Sequence, residues 1–325
     1  MVNSMPAVSS KAKAGKDPFC MKEILREQGC YDGDHFTVLY NKKALTEGHT
    51  LIITKRHTLG LLDLTAGEAK ELFDMIGKVL PVLLDTYNNG ERAYDLKIRS
   101  GEFSGRTVNH FHLHLIPRKR VPREGGGTEY ERIYEKSLQN IDRPFLDDIS
   151  NDLRRLRRGL NNPDRSAATS EAGSSHSELG VNLRKNIFYE SEYFFALYHP
   201  APVIEGQVLL VPKRDISDFL ELSGREREDF AYAYSKVMAM LLKRYGNGSR
   251  SYITSMQTGG YDNMPLNRLH INLIPRTKGD RYAGHDDDMY YDIYERKTGG
   301  AVMTGGEIEK EVKSLGMLAA RDWYV

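Results

Sequence analysis

Cysteine occurs only twice in the 325 residues, at Cys20 and Cys30, and tryptophan once. Two thiols so close together cannot frame a disulfide scaffold, so a reducing compartment fits them best. The chain also has no excess of charge. Its 46 basic and 45 acidic side chains leave a formal +1, which excludes a global field that would draw it onto nucleic acid or an anionic membrane. No run approaches the roughly 18 apolar residues of a membrane span, and residues 1–17 have no apolar centre of a secretory signal. These absences predict a soluble protein of the cytoplasm, with the nucleus as the alternative. The opening MVNSMPAVSSKAKAGKD has no acid before Asp17, yet it also has none of the arginines of an organellar leader. A disordered tail over 1–17 is the expectation.

What the chain does have is a duplication. FTVLYNKKALTEGHTLIITKR, from Phe36 to Arg56, returns as FFALYHPAPVIEGQVLLVPKR, from Phe194 to Arg214. NHFHLHLIPR, from Asn109, returns as NRLHINLIPR, from Asn267. Gly48 to Gly206 and Pro117 to Pro275 are both 158 positions apart, and chance similarity does not keep register over such a span. Each copy reads as a hairpin around an E-G turn, then a helix, a strand, a glycine-containing loop and a second strand. The hairpins are Phe36–Tyr40 with Thr50–Thr54 and Phe195–Tyr198 with Val208–Val211. Leu72, Ile76, Val79 and Leu83 give the first helix its apolar stripe, although Pro81 is expected to kink or shorten it. Residues 225–244 play that part in the second copy. The fold class predicted is α+β, a helix packed on an antiparallel sheet in each repeat. The Ser-, Ala- and Gly-rich stretch 161–180 reads as a linker, dividing a first repeat at 18–160 from a second at 181–325. LRRLRRGL, from Leu153 to Leu160, is basic but short, and reads as a solvated helix face rather than a phosphate-backbone contact.

Chemistry concentrates at His110, His112 and His114, which alternate with Phe111, Leu113 and Leu115. On a strand, period two would set three imidazoles on one face and the apolar residues against the core. Three of the ten histidines in one such row ask for more than hydrogen-bonded surface side chains. Zinc is the serious rival, but the outer two would sit about 13 Å apart along a strand, too far to share one metal with the middle one. Two of them with His49 remain a possible set. Chemistry on an anion fits better. Imidazole is a competent nucleophile near neutral pH, neighbouring imidazoles can bond phosphate oxygens, and the glycine loop SGEFSGRT leads straight into the histidines.

The motif His110-Phe111-His112-Leu113-His114-Leu115 with Ile116-Pro117-Arg118 resembles the signature of the histidine-triad (HIT) superfamily. EGH at Glu47–His49, GRTVNHFHLHLIPRK from Gly105 and IYEKSLQN from Ile133 resemble its fragile-histidine-triad branch, the dinucleoside polyphosphate hydrolases. FALY, SMQTGG from Ser255 and IYERK from Ile293 repeat the likeness in the second copy. The resemblance implies that His112 attacks the α-phosphorus and forms a nucleotidyl-histidine intermediate that water cleaves. His114 would then bond phosphate or leaving-group oxygens, while His110 and His49 orient the triad and manage its protons. Asn41 matches the ribose-contacting position, Leu39 lies in the strand lining the base pocket, and Gly105 and Thr107 fall in the phosphate loop. No metal belongs to the covalent chemistry so implied, and no zinc requirement is expected; magnesium would come only with a polyphosphate substrate. The branch pairs two protomers through a shared sheet, and the duplication predicts that here the pair is internal, a pseudo-dimer in one chain.

Two departures qualify the likeness. Where the hydrolase branch places a phosphate-bridging glutamine, eleven residues before the first histidine, this chain has Arg99, an always-charged fork suited to a different or longer anionic leaving group. In the second copy the triad reads Arg268, His270 and Asn272, Gln207 replaces the histidine of EGH, and His199 replaces Asn41, although Gln257 restores the glutamine. That half is expected to be a scaffold or an inert phosphate-binding site, with Gln257 and His270 as its candidate contacts. Three functional classes follow: a dinucleoside polyphosphate hydrolase, a nucleotidyltransferase or phosphorylase, and a nucleotide- or RNA-cap-binding module with little turnover.

Overall fold

In a computed structural model of the chain, the described residues are 17–122, 128–131, 133, 149–162, 181–258, 268–283, 286–294 and 303–320. The β-branched and aromatic runs of the first repeat form β1 (Gly29–Asp32), β2 (Phe36–Tyr40), β3 (Thr50–Thr54), β4 (Tyr94–Ser100) and β5 (His112–Pro117). A short ribbon pairs β6 (Arg120–Pro122) with β7 (Thr128–Tyr130). The second repeat supplies β8 (Ile187–Glu190), β9 (Phe194–Tyr198), β10 (Val208–Pro212), β11 (Tyr252–Gln257) and β12 (Ile271–Pro275). All but the ribbon join one ten-stranded sheet in the order β1-β2-β3-β5-β4-β11-β12-β10-β9-β8. The second half of that order mirrors the first. The halves meet where β4 and β11 pair antiparallel, with Asp95 opposite Gln257, Lys97 opposite Ser255 and Arg99 opposite Ile253. The pseudo-dimer therefore lies within one chain, built from backbone hydrogen bonds and not from side chains alone.

The helices are α1 (Lys22–Gln28), α2 (Ala66–Tyr87), α3 (Ser150–Leu160), α4 (Val181–Arg184), α5 (Gly224–Tyr245), α6 (Asp286–Tyr294) and α7 (Gly305–Ala319). The two long ones, α2 and α5, start with capping boxes, Thr65 with Glu68 and Ser223 with Glu226. Each capping glutamate also holds the arginine that ends the preceding strand segment, Arg56 on Glu68 and Arg214 on Glu226. The Arg56 hydrogen bond draws the Glu68 carboxyl down to about 2. Between these helices and one face of the sheet lies a core shared by both repeats, in which Phe73 of α2 meets Phe219 and Phe230 of the second half. Pro81 does not shorten α2, which runs 22 residues through it. The flanking Val79, Leu80, Leu83 and Leu84 are all buried, so tertiary packing overrides the local cost of the missing hydrogen bond.

In α3, Leu153, Leu156 and Leu160 are buried, while Arg155 and Arg157 donate to the carbonyls of Thr86 and Gly29. Two of the four arginines of LRRLRRGL thus brace backbone. No helix among the described residues is long and apolar enough to cross a membrane. The tail up to residue 16, the linker from 163 to 180, most of IYEKSLQN and the last residues of IYERK lie outside the described residues. Asp17, expected to end the tail, instead caps the first turn, accepting from the backbone N–H of Phe19. The acid has buried partners to satisfy, as the site shows.

Candidate functional site

On the face of the sheet away from α2 and α5, a cavity of about 450 Å³ opens over the first repeat. Ladder register explains its lining. Leu39 of β2 stands opposite Leu51 of β3, Leu51 opposite His114 of β5, and His114 opposite Lys97 of β4, so these side chains share one face. Across the sheet the cavity therefore runs from an apolar end to a cationic one. Phe19, Ile24, Leu51 and Val108 line the first, with Asn41, Lys42 and Lys43 beside them; Lys97, Arg99 and Arg106 line the second; His112 and His114 stand between. No acidic residue is among the described residues that line it. Leu39 is fully buried behind Leu51 in the apolar floor, and Gly105 accepts a hydrogen bond from Arg99 Nη1 (3.0 Å) instead of touching the cavity. Thr107 lines it directly.

Hydrogen-bond partners fix the ring protons. The His112 Nδ1 lies 2.7 Å from the carbonyl oxygen of His110, which can only accept, so Nδ1 carries the proton and Nε2 keeps its lone pair. The backbone N–H of Leu45 donates to His49 Nδ1 (3.0 Å), so the His49 proton sits on Nε2, 2.9 Å from His114 Nδ1. His114 is thereby left with its proton on Nε2. The pair offers a nucleophilic nitrogen on one ring and a donor on the next, with ring centroids 5.0 Å apart. Burial lowers the basicity of both, His112 to about 4 and His114 well below the usual imidazole range, with neighbouring cations adding to the effect. His112 is a free base at neutral pH.

His110 departs from expectation. Strand β5 begins at His112, because the Phe111 N–H bonds the Thr58 carbonyl (2.7 Å) instead of joining the ladder. Alternation therefore sets two imidazoles over the cavity, not three. The His110 ring is fully buried elsewhere, its Nε2 2.7 Å from the Thr54 carbonyl and its Nδ1 2.7 Å from Asp17 Oδ2. Asp17 also takes His57 (2.9 Å) and the Cys20 thiol (3.3 Å). The ligand-capable atoms of Asp17, Cys20, His57 and His110 lie within 4.8 Å of one another. Two imidazoles, a thiol and a carboxylate are donor types that suit zinc, and these four could hold a metal at the His110 end of the triad. The observed spacing is that of direct hydrogen bonds, and partial desolvation with the Asp17 carboxylate beside it pushes the Cys20 thiol up to about 11.

Sequence reasoning missed Phe19, Lys97, Arg106 and this four-residue cluster. Lys97 was within reach, two residues from Arg99 on the same strand face, and Arg106 stood inside the quoted glycine loop. The cluster had no such signal, since its members are scattered from 17 to 110.

The second repeat reproduces the skeleton with other chemistry. His270 Nδ1 still faces the preceding carbonyl, that of Arg268 (2.8 Å), and Gln207 Nε2 donates to Asn272 Oδ1 (2.7 Å) where His49 meets His114. Arg268 Nη2 reaches the carbonyls of Pro212, Lys213 and Arg214, and its Nε lies 3.8 Å from Asp215, the position equivalent to His57. Over this face lies α6, whose Tyr294 hydroxyl is 2.5 Å from Ser255 Oγ and 3.5 Å from Asn272 Nδ2. Gln257, expected to hold phosphate, is buried at the seam opposite Asp95, and its amide makes no hydrogen bond among the described residues.

The HIT domain family matches residues 25–121 and again 181–279. The nitrilase and fragile histidine triad fusion protein NitFhit of Caenorhabditis elegans is 30% identical over 122 residues, which are 38% of this chain and 26% of that protein. The asymmetrical bis(5'-nucleosyl)-tetraphosphatase of Schizosaccharomyces pombe is 33% identical over 106 residues, 33% of this chain and 57% of that one. In both, the similarity thus spans less than two thirds of the relative. Among solved structures a uridylyltransferase overlays 98% of this chain and 96% of its own at TM-score 0.52 and 15% identity, a likeness of fold across both repeats.

Proposed function

The chain belongs to the HIT-domain family, in two tandem copies, and from that premise we propose that the first copy is a hydrolase of dinucleoside polyphosphates or related nucleotidyl substrates, working through a nucleotidyl adduct on His112. One observation carries the reading. The carbonyl of His110 fixes the His112 proton on Nδ1, so the lone pair on Nε2 faces a cavity walled by Lys97, Arg99 and Arg106.

A nucleotide seats its base on the apolar end, with Asn41 at the ribose, and its α-phosphate over the imidazoles. His112 Nε2 attacks phosphorus as the bond to the leaving oxygen breaks. The N–P bond forms at the neutral imidazole's lone pair, which leaves a cationic ring whose Nδ1–H still bonds the His110 carbonyl. His114 Nε2–H donates to the departing oxygen, held in that tautomer by His49 and ultimately by the Leu45 N–H. Water then attacks phosphorus as the N–P bond breaks: the bonding pair returns to Nε2, so His112 leaves as neutral imidazole, and the proton lost by the water passes through the product phosphate to solvent. The covalent steps need no metal, and magnesium enters with the polyphosphate. Asp17, Cys20 and His57 gather around His110, so an ion held there would brace His110.

Denaturing quench at alkaline pH, where a histidine P–N bond survives, during turnover of a labelled dinucleoside polyphosphate tests the reading: label is expected on the peptide holding His112. Turnover without any trapped adduct would point to direct attack by water and overturn it. A second reading, transfer of the nucleotidyl group to phosphate or another acceptor, is supported by the cationic wall beyond the imidazoles, which suits an anionic acceptor as well as a leaving group. Product analysis with and without inorganic phosphate separates the two.

A further inference from the structure

The strand order dictates where the leaving group goes. With the base on β2 and β3 and the α-phosphorus over β5, the rest of the substrate extends over β4, which is the seam with the second repeat. At that seam α6 delivers one side chain to the first repeat's cationic wall. Tyr290 is fully buried, its hydroxyl lies 3.4 Å from Arg99 Nε, and its ring carries the Arg99 guanidinium carbon at 5.2 Å and Lys97 Nζ at 4.9 Å from the centroid. Two like charges side by side in a buried wall repel each other. A ring face presented to both offsets that repulsion without neutralising either, as a carboxylate would. Among the described residues, Arg99 donates through Nε to the Tyr290 hydroxyl and through Nη1 to the Gly105 carbonyl, contacts that fix the direction of its fork.

We propose that Tyr290, from the repeat that lacks the triad, is a positioning residue for the first repeat's catalytic pocket: it orients Arg99 and Lys97 toward the leaving group, so preference for a polyanionic leaving group is set across the seam. A second contact crosses at the same place. Ser251 of the second repeat accepts the Phe103 N–H (3.0 Å), bracing the glycine loop that carries Gly105. At Gly101, φ is +83° and a Cβ would meet Ser251, so the loop is fitted closely to the second repeat.

The inference rests on the nucleotidyl-transfer reading of the pocket, and its test separates the two. Tyr290→Phe, which keeps the ring and removes the hydroxyl, and Tyr290→Leu, which removes both, are compared with the unaltered chain on two substrates sharing one nucleotide. One is a dinucleoside tetraphosphate and the other a p-nitrophenyl ester of the mononucleotide, whose leaving group carries no phosphate. Tyr290→Leu is expected to raise KM for the tetraphosphate about tenfold, and Tyr290→Phe about threefold, with the ester's KM changed less than about twofold. Calorimetric binding of a non-hydrolysable dinucleoside tetraphosphate gives the same ranking independently of turnover. An equal loss on both substrates, or unchanged KM and affinity in folded Tyr290→Phe and Tyr290→Leu, would show that Tyr290 is structural only. No turnover of either substrate by the unaltered chain would instead refute the catalytic reading, while the binding series still decides what Tyr290 does.

Discussion

The two repeats carry the same backbone to opposite ends. Both hold their middle histidine by the same contact to the carbonyl two residues before it, and both tie the third triad position to the side chain after the E-G turn. The first repeat fills these places with imidazoles that can hold and pass protons. The second fills them with Gln207, Asn272 and Arg268, which bond as firmly but do no acid–base work near neutral pH. Where the first repeat gathers Asp17, Cys20, His57 and His110, the second has a single guanidinium reaching three carbonyls. The comparison teaches that the hydrogen-bonding frame of the site is part of the fold and persists where the imidazoles are replaced. It also gives the second repeat a contact with the site, since its α6 sets Tyr290 against Arg99 and Lys97 of the first repeat's cationic wall.

The sharpest way to break this comparison is to delete each middle histidine. His112→Ala should reduce turnover at least about a thousandfold, while His270→Ala should leave most of it. Trapping at most one nucleotidyl group per chain, on the peptide holding His112, checks the same point; label on the peptide holding His270 would show the second repeat to be catalytic. Arg268→Ala should cost about 2–3 kcal/mol in urea unfolding, because buried carbonyls lose their donor, with kcat falling less than about twofold. A large loss of kcat without loss of stability would mean that Arg268 serves the reaction. Arg99→Gln should shift the rank order of substrates by about tenfold toward the shorter dinucleoside polyphosphates, because an amide donates and accepts whereas a guanidinium only donates. An unchanged rank order would show that Arg99 does not meet the phosphate chain. The smallest expected effect is on pH dependence. Burial holds His112 near 4, the nucleophile works as the neutral base, and protonation removes it, so kcat/KM should stay level through pH 6.5 and fall only as pH drops toward about 4. An acidic limb centred at 6.5 would place His112 in contact with water.

Much of this was legible in the chain. A constant 158-residue offset announced two copies, and period-two and period-3.6 patterns placed the hairpins at Phe36–Tyr40 and Thr50–Thr54 and the helix behind them. Those features are local, so sequence periodicity reports them directly. Pro81 misled because propensity is weaker than the burial of a whole helix face. His110 misled because alternation holds only on a strand, and the loop hydrogen bond of Phe111 to Thr58 delays the strand by two residues.

By itself, then, the sequence determined the duplication, the α+β class and the histidines at 112 and 114 with Arg99 and Thr107 near them. Only the tertiary structure decided that β4 meets β11, that Asp17, Cys20 and His57 surround His110, that Tyr294 lies over Asn272 and that Tyr290 stands beneath Arg99. The physical reason is distance along the chain. Hydrophobic periodicity and short motifs are set by neighbours a few residues apart, whereas Arg99 and Tyr290 are 191 positions apart and meet only because the sheet closes the two repeats edge to edge.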